Sequence, residues 1–147
     1  RYRSIMNRIL LIVLALISVA SYGDEVSWQS EPAHKIDIDC DGVGDSVFLG
    51  HIKNDFIVKI LASSSKTDSQ LQFGLAQPSR QDAICGEAPN FTTYNSDAKA
   101  QEMMFDEVFE GYKSGSQCFD LNISGGECDS ITVFYNHKTQ ELNWWRL

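Results

Sequence analysis

Apolar and polar residues alternate along much of the chain, which is the two-residue period of a half-buried strand. Ile36 and Ile38 alternate ahead of an acidic stretch, and Val47 and Leu49 alternate after it. Lys53-Asn54-Asp55 reads as a turn and 56–61 as the returning strand. The polar stretch 62–70, with Ser63-Ser64-Ser65, predicts a loop. Leu71, Phe73 and Leu75 then predict a further strand, ended by Pro78. Residues 81–95 show no period around Cys85, Gly86 and Pro89. From 97 to 112 the period changes. Ala98, Met103, Phe105, Val108, Phe109 and Tyr112 approximate a helical stripe, with Asn95 or Ser96 as its cap and Gly115 past its end. The remainder predicts a hairpin, 117–123 and 127–135, around Ser124-Gly125-Gly126. A third strand over 141–146 follows the Asn136-His137-Lys138 turn. Residues 24–34 form a polar lead-in with Trp28 as an anchor. The expected fold class is mainly β, a β-rich α+β arrangement: a small antiparallel β domain with one helix, disulfide-bonded.

One segment stands apart from this pattern. Met6-Asn7-Arg8 precedes an unbroken apolar or small run, Ile9 to Ala20. A basic head, a short apolar stretch and small residues make a secretory signal peptide. The run is shorter than the roughly 20 residues of a permanent membrane span, so no permanent membrane anchor is expected. Residues 1–5 read as sequence upstream of the initiating Met6. The expected organisation is a leader with upstream residues over 1–23 and one exported β-rich domain over 24–147. The expected location is periplasmic or secreted.

Export changes the meaning of the four cysteines, Cys40, Cys85, Cys118 and Cys128. An even count in an exported chain argues for two disulfides. No C-x-x-C spacing supports a zinc ribbon or a redox site. In the predicted hairpin Cys118 lies opposite Thr132 or Val133, and Cys128 opposite Asn122 or Ile123. That separates them by several residues along the ladder, beyond a disulfide's Cα reach of about 4.4–6.8 Å. Each therefore bonds Cys40 or Cys85, with the pairing open.

Charge narrows the partners. The chain of 147 residues carries 12 basic and 20 acidic groups, a net −8. Without Arg1, Arg3 and Arg8 of the leader, nine basic groups face 20 acidic ones, a net −11. Nucleic acid is excluded as a natural partner, whereas cations and basic proteins are favoured.

The acidic stretch carries the one motif with chemistry. Asp37-Ile38-Asp39-Cys40-Asp41-Gly42-Val43-Gly44-Asp45 reads D-x-D-x-D-G-x-x-D. Carboxylates at positions one, three and five can converge on a cation. Gly at position six permits a sharp turn, position seven offers a carbonyl, and position nine adds a carboxylate. Such hard oxygen ligands suit Ca²⁺. The loop is not an EF-hand, because position twelve is Phe48 where that loop needs a bidentate Glu. Over residues 36–61 it resembles the calcium-binding hairpin of FG-GAP and VCBS-type repeats. The resemblance implies a Ca²⁺ of structural role, with Asp37, Asp39, Asp41, Val43 (through its carbonyl) and Asp45 as ligands. Those families repeat the unit, and one copy cannot close a propeller, so the resemblance implies a metal loop and not a propeller. Cys40, at a variable position, would point away from the ion and anchor the loop.

Trp144-Trp145-Arg146 suggests a partner surface, with one Trp in the core and the other exposed beside Arg146. Met103-Met104 reads as core filling. His34, His51 and His137 have no ligand spacing. There is no G-x-S-x-G, no H-E-x-x-H and no phosphate-binding glycine loop. The expected function is a small exported, non-enzymatic binding or structural domain with an unidentified protein or glycan partner. Two alternatives are an inhibitor or immunity-type protein against a basic secreted hydrolase such as a lysozyme, and a calcium-assisted carbohydrate-binding module.

Overall fold

The computed structural model describes residues 25–63 and 68–147. The expected leader, 1–23, lies outside the described residues. Among the described residues, nine strands form two antiparallel sheets. The first holds β1 (Ser27–Trp28), β2 (His34–Ile36), β3 (Asp45–Ile52), β4 (Asp55–Leu61) and β5 (Asp68–Gly74) in the order β1-β3-β4-β5, with β2 also on β3. The second runs β6 (Asn90–Asn95), β7 (Phe119–Ser124), β8 (Ile131–Asn136), β9 (Glu141–Trp145).

The alternation read from the sequence decides which face of each strand is buried. Val47 and Leu49 of β3 lie opposite Ile60 and Val58 of β4, and Phe56 lies opposite Phe73 of β5. Leu121 and Ile123 of β7 lie opposite Val133 and Ile131 of β8. All of these belong to one core between the two sheets, joined by Ile36, Ile38, Ile84 and Leu142. Each such side chain contributes roughly 1.5–3 kcal/mol on burial.

The second sheet also has a covered outer face, which makes a third layer. Phe134 points there and packs against Phe109 and Tyr112, with ring centroids 6.2 and 5.2 Å away. The cover is α1 (Ala98–Phe105) and the irregular segment that follows it. The helix is shorter than the expected 97–112. Asp106 adopts the left-handed conformation (φ 60°), which ends the helix before Val108. Val108, Phe109 and Tyr112 then cover the sheet from a loop. The cap is Asp97, whose carboxylate accepts from Lys99 N at 2.9 Å and Ala100 N at 3.2 Å, and not Asn95 or Ser96. The core-filling reading of the methionines is also corrected. Met103 is 78% exposed and Met104 40%, and the buried helix residue is Gln101.

Two strands went unpredicted. β6 is polar, Asn-Phe-Thr-Thr-Tyr-Asn, because it lies at a sheet edge with most of its residues exposed. β1 is only two residues long. The C-terminal hairpin is looser than expected, since Leu121 pairs with Val133 and the connection spans 125–130. Gly125 and Gly126 do not make a tight turn. Their backbones lie against residues 84–86, where Cys85 N and Gly86 N donate to Gly125 O at 3.0 and 2.9 Å. A Cβ at Gly126 would sit 2.8 Å from Gly86 N.

The disulfides are Cys40–Cys118 and Cys85–Cys128, with Cα separations of 4.6 and 5.6 Å. Each joins a first-half cysteine to the C-terminal hairpin region, as the reach argument required. The assumed register was wrong, because Cys128 sits in the connection and Cys118 precedes β7.

Candidate metal centre and neighbouring clefts

The acidic loop connects β2 to β3, with Ile36 paired to Asp45 at its base. Its shape comes from its own carboxylates. Asp37 accepts from Asp41 N at 3.0 Å and Gly42 N at 2.8 Å. Asp41 accepts from Val43 N at 2.7 Å. Asp45 accepts from Ile38 N at 3.2 Å and from Ser63 N at 2.9 Å. Cys40 and Gly42 both take positive φ, 60° and 88°. The bend therefore needs the glycine at position six, and the disulfide holds the strained Cys40.

Asp37, Asp39 and Asp45 each offer an oxygen within 4.8 Å of the others. Oxygens on opposite sides of one Ca²⁺, at about 2.3–2.6 Å each, stand about 5 Å apart. The three carboxylates thus fit a single hard cation. Asp41 stands outside this group of three, although its charge reaches both Asp39 and Asp45. Val43 is exposed.

Electrostatics mark the same place. Burial, then the charges of Asp45, Asp41 and Asp37, push the Asp39 carboxyl up to about 6 against an amide bond from Asp41. Burial also raises Asp45, against amide bonds from Ser63, Ile38 and Asp39. A cation would reverse both effects, because an opposite charge favours the ionised form. Sequence reasoning missed Ser63. Its amide holds Asp45 and its hydroxyl donates to Gly44 O at 2.8 Å. It lies 18 residues away, and no local spacing announces it.

The loop is tied to the second sheet. Cys40 bonds Cys118, and Phe119 N donates to Asp37 O at 3.0 Å. Ordering the loop therefore orders the start of β7.

The C-terminal aromatic pair is placed differently from the expected surface. Trp144 packs on the core, its ring edge-on to Phe73 at 5.9 Å. Trp145 faces the other side of β9 and meets Phe105 edge-on at 5.2 Å. Both are half-buried. Arg146 turns inward, donating to Ala83 O at 2.6 Å. The three residues do not form one exposed patch.

A polar network lies beneath α1. Asp120, 2% exposed, accepts from Ser96 Oγ at 2.6 Å and Tyr112 Oη at 2.5 Å. Burial pushes its carboxyl up to about 6, partly offset by those two hydroxyls. Burial and the neighbouring Asp120 raise the Tyr112 phenol. In the sequence Asp120 occupies a polar position of an alternating strand and reads as solvent-facing. Only the covering layer makes it buried.

Among the described residues no helix is long and apolar enough to cross a membrane. Fold and site together define a disulfide-tied, two-sheet β domain with an acidic hairpin loop. Compared with models of protein families, with curated proteins and with solved structures, the chain matches none.

Proposed function

We propose that the chain is a small exported, non-enzymatic binding or structural domain whose acidic loop holds one structural Ca²⁺. The observation that carries this reading is the convergence of Asp37, Asp39 and Asp45 within 4.8 Å. The D-x-D-x-D-G-x-x-D spacing and its resemblance to FG-GAP and VCBS-type hairpins support the choice of Ca²⁺. The ion neutralises three clustered carboxylates and holds β2, β3 and, through Cys40–Cys118, the start of β7 in one arrangement. Two long-range disulfides favour an oxidising compartment, so the domain works in the periplasm or outside the cell.

Titration calorimetry of the oxidised protein with CaCl₂ tests the ion directly. The expected result is one site, with a Kd of about 10⁻⁴–10⁻³ M as in extracellular modules, and loss of the heat in Asp39→Asn. Absence of a saturable heat up to tens of millimolar would overturn the metal reading. The net charge of −8 favours a second reading, an inhibitor or immunity-type protein steered onto a basic secreted hydrolase. Salt-sensitive inhibition of a lysozyme would support it, and unchanged lysozyme activity at stoichiometric excess would remove it.

A further inference from the structure

The cleft between α1 and the outer face of the second sheet has a volume of about 290 Å³. That is near the lower end of the size of small-molecule sites. Its walls come from five parts of the chain: α1 with its cap, the segment after the helix, and β6, β7 and β9 of the second sheet.

Two of its lining side chains carry buried N–H donors with no partner among the described residues, Gln101 Nε2 and Trp145 Nε1. Gln101 is 1% exposed. Its orientation is set, since Oε1 accepts from Phe109 N at 2.7 Å. The Trp145 ring is held edge-on against Phe105. A buried donor left without an acceptor is rare, because it gives up its bonds to water and gains nothing. Two such donors on side chains of one cleft point to an occupant that supplies acceptors and reaches them by displacing the groups that now cover both nitrogens.

The third polar group is Asp120, which also lines the cleft. Its two oxygens take the Ser96 and Tyr112 hydroxyls, and each retains a lone pair for a further donor. The rest of the lining is aromatic or apolar, with Tyr94, Tyr112 and Trp145 as rings and Met104 at the rim. The Tyr94 hydroxyl is bound to Thr132 Oγ1 at 2.8 Å, which fixes that ring.

An occupant must accept from two N–H groups, donate to a carboxylate and lay apolar surface on aromatic rings. An anion is disfavoured by Asp120. An ammonium group cannot accept from the two N–H donors. A neutral ring bearing hydroxyl groups meets all three demands, since each hydroxyl both donates and accepts and the C–H faces suit aromatic rings. We infer that this cleft binds one sugar ring, and that Gln101, Asp120 and Trp145 hold it. The inference rests on the reading of the chain as a binding module and names its ligand class. It uses none of the acidic-loop residues.

The test follows side-chain N–H resonances of the uniformly ¹⁵N-labelled, oxidised protein. The probes are the methyl glycosides of glucose, galactose, mannose and N-acetylglucosamine, each raised to about 50 mM, well above a millimolar Kd. Three indole signals are expected, from Trp28, Trp144 and Trp145, and Trp145→Phe identifies its own by loss. The expected result is a saturable shift of the Trp145 indole and the Gln101 amide with at least one glycoside, while the Trp28 indole stays in place. Trp145→Phe keeps a ring and removes the donor, so affinity should fall roughly five- to tenfold. If no glycoside moves the wild-type Trp145 indole, the inference is overturned whatever the variant does. It is equally overturned if all three indoles shift together. Repeating the titration in EDTA separates it from the calcium reading, because glycoside binding with no calcium heat leaves this site standing and sinks only the metal.

Discussion

Asp120 offers the sharpest quantitative prediction. It is 2% exposed and two hydroxyl donors relieve its burial in part, so its carboxyl sits at about 6 against an ordinary value of 3.8. Between those values the folded state binds more protons than the unfolded state. Stability from this group is therefore full below about pH 4 and is lost as the pH rises through about 6. The whole difference corresponds to about 3 kcal/mol at neutral pH. Asp120→Asn keeps the shape, and an amide can bond both Ser96 and Tyr112, because each hydroxyl can turn to donate or accept. The variant should match the wild type near pH 4 and exceed it increasingly toward pH 7. At about 3–5 °C per kcal/mol for a domain of this size, the midpoint difference should approach roughly 10 °C. The assay is thermal unfolding from pH 4 to 8 for both proteins in saturating Ca²⁺. Parallel profiles, with a constant difference across the range, would refute the claim that Asp120 is a buried, destabilised carboxylate.

Three other expectations follow from the same structure. Removing Cys40–Cys118, which spans 78 residues, as the double serine variant should cost about 4.5 kcal/mol by loop entropy; removing Cys85–Cys128, which spans 43, should cost about 4. Urea unfolding of both variants checks the size and the order. Gly42→Ala places a Cβ in open space at φ 88°, so it perturbs the backbone alone. It should cost about 1 kcal/mol and weaken calcium binding, read by denaturation and calorimetry. Asp97→Ala removes the acceptor for Lys99 N and Ala100 N and should cost about 1 kcal/mol, with faster hydrogen exchange confined to the first turn of α1.

What the sequence disclosed depended on whether the information was local. Strands with alternating apolar residues, such as Val47-Phe48-Leu49 and Leu71-Gln72-Phe73, were legible because their period is the burial pattern itself. The disulfide partners were bounded by reach alone, even under a wrong register. The acidic loop was legible because its ligand spacing is contiguous, yet the group of three excludes Asp41 and leans on Ser63. β6 was invisible because an edge strand needs no apolar face. The cleft under α1 was invisible for a related reason. Asp120 is buried under a layer made of α1 and the loop after it, Gln101 is the buried residue of that short helix, and loop packing leaves no period. Gly125-Gly126 misled because glycine serves a tight turn and a close backbone approach equally well.

The central claim is that the loop is a calcium site built into the fold. Thermal unfolding of the oxidised protein in EDTA and in about 10 mM Ca²⁺ tests it, with Asp39→Asn alongside. At roughly ten to a hundred times Kd, linkage adds about 1.4–2.7 kcal/mol, or roughly 5–10 °C. The account predicts that rise for the wild type and none for the variant. Equal midpoints in EDTA and Ca²⁺, or the same rise in both proteins, would contradict it.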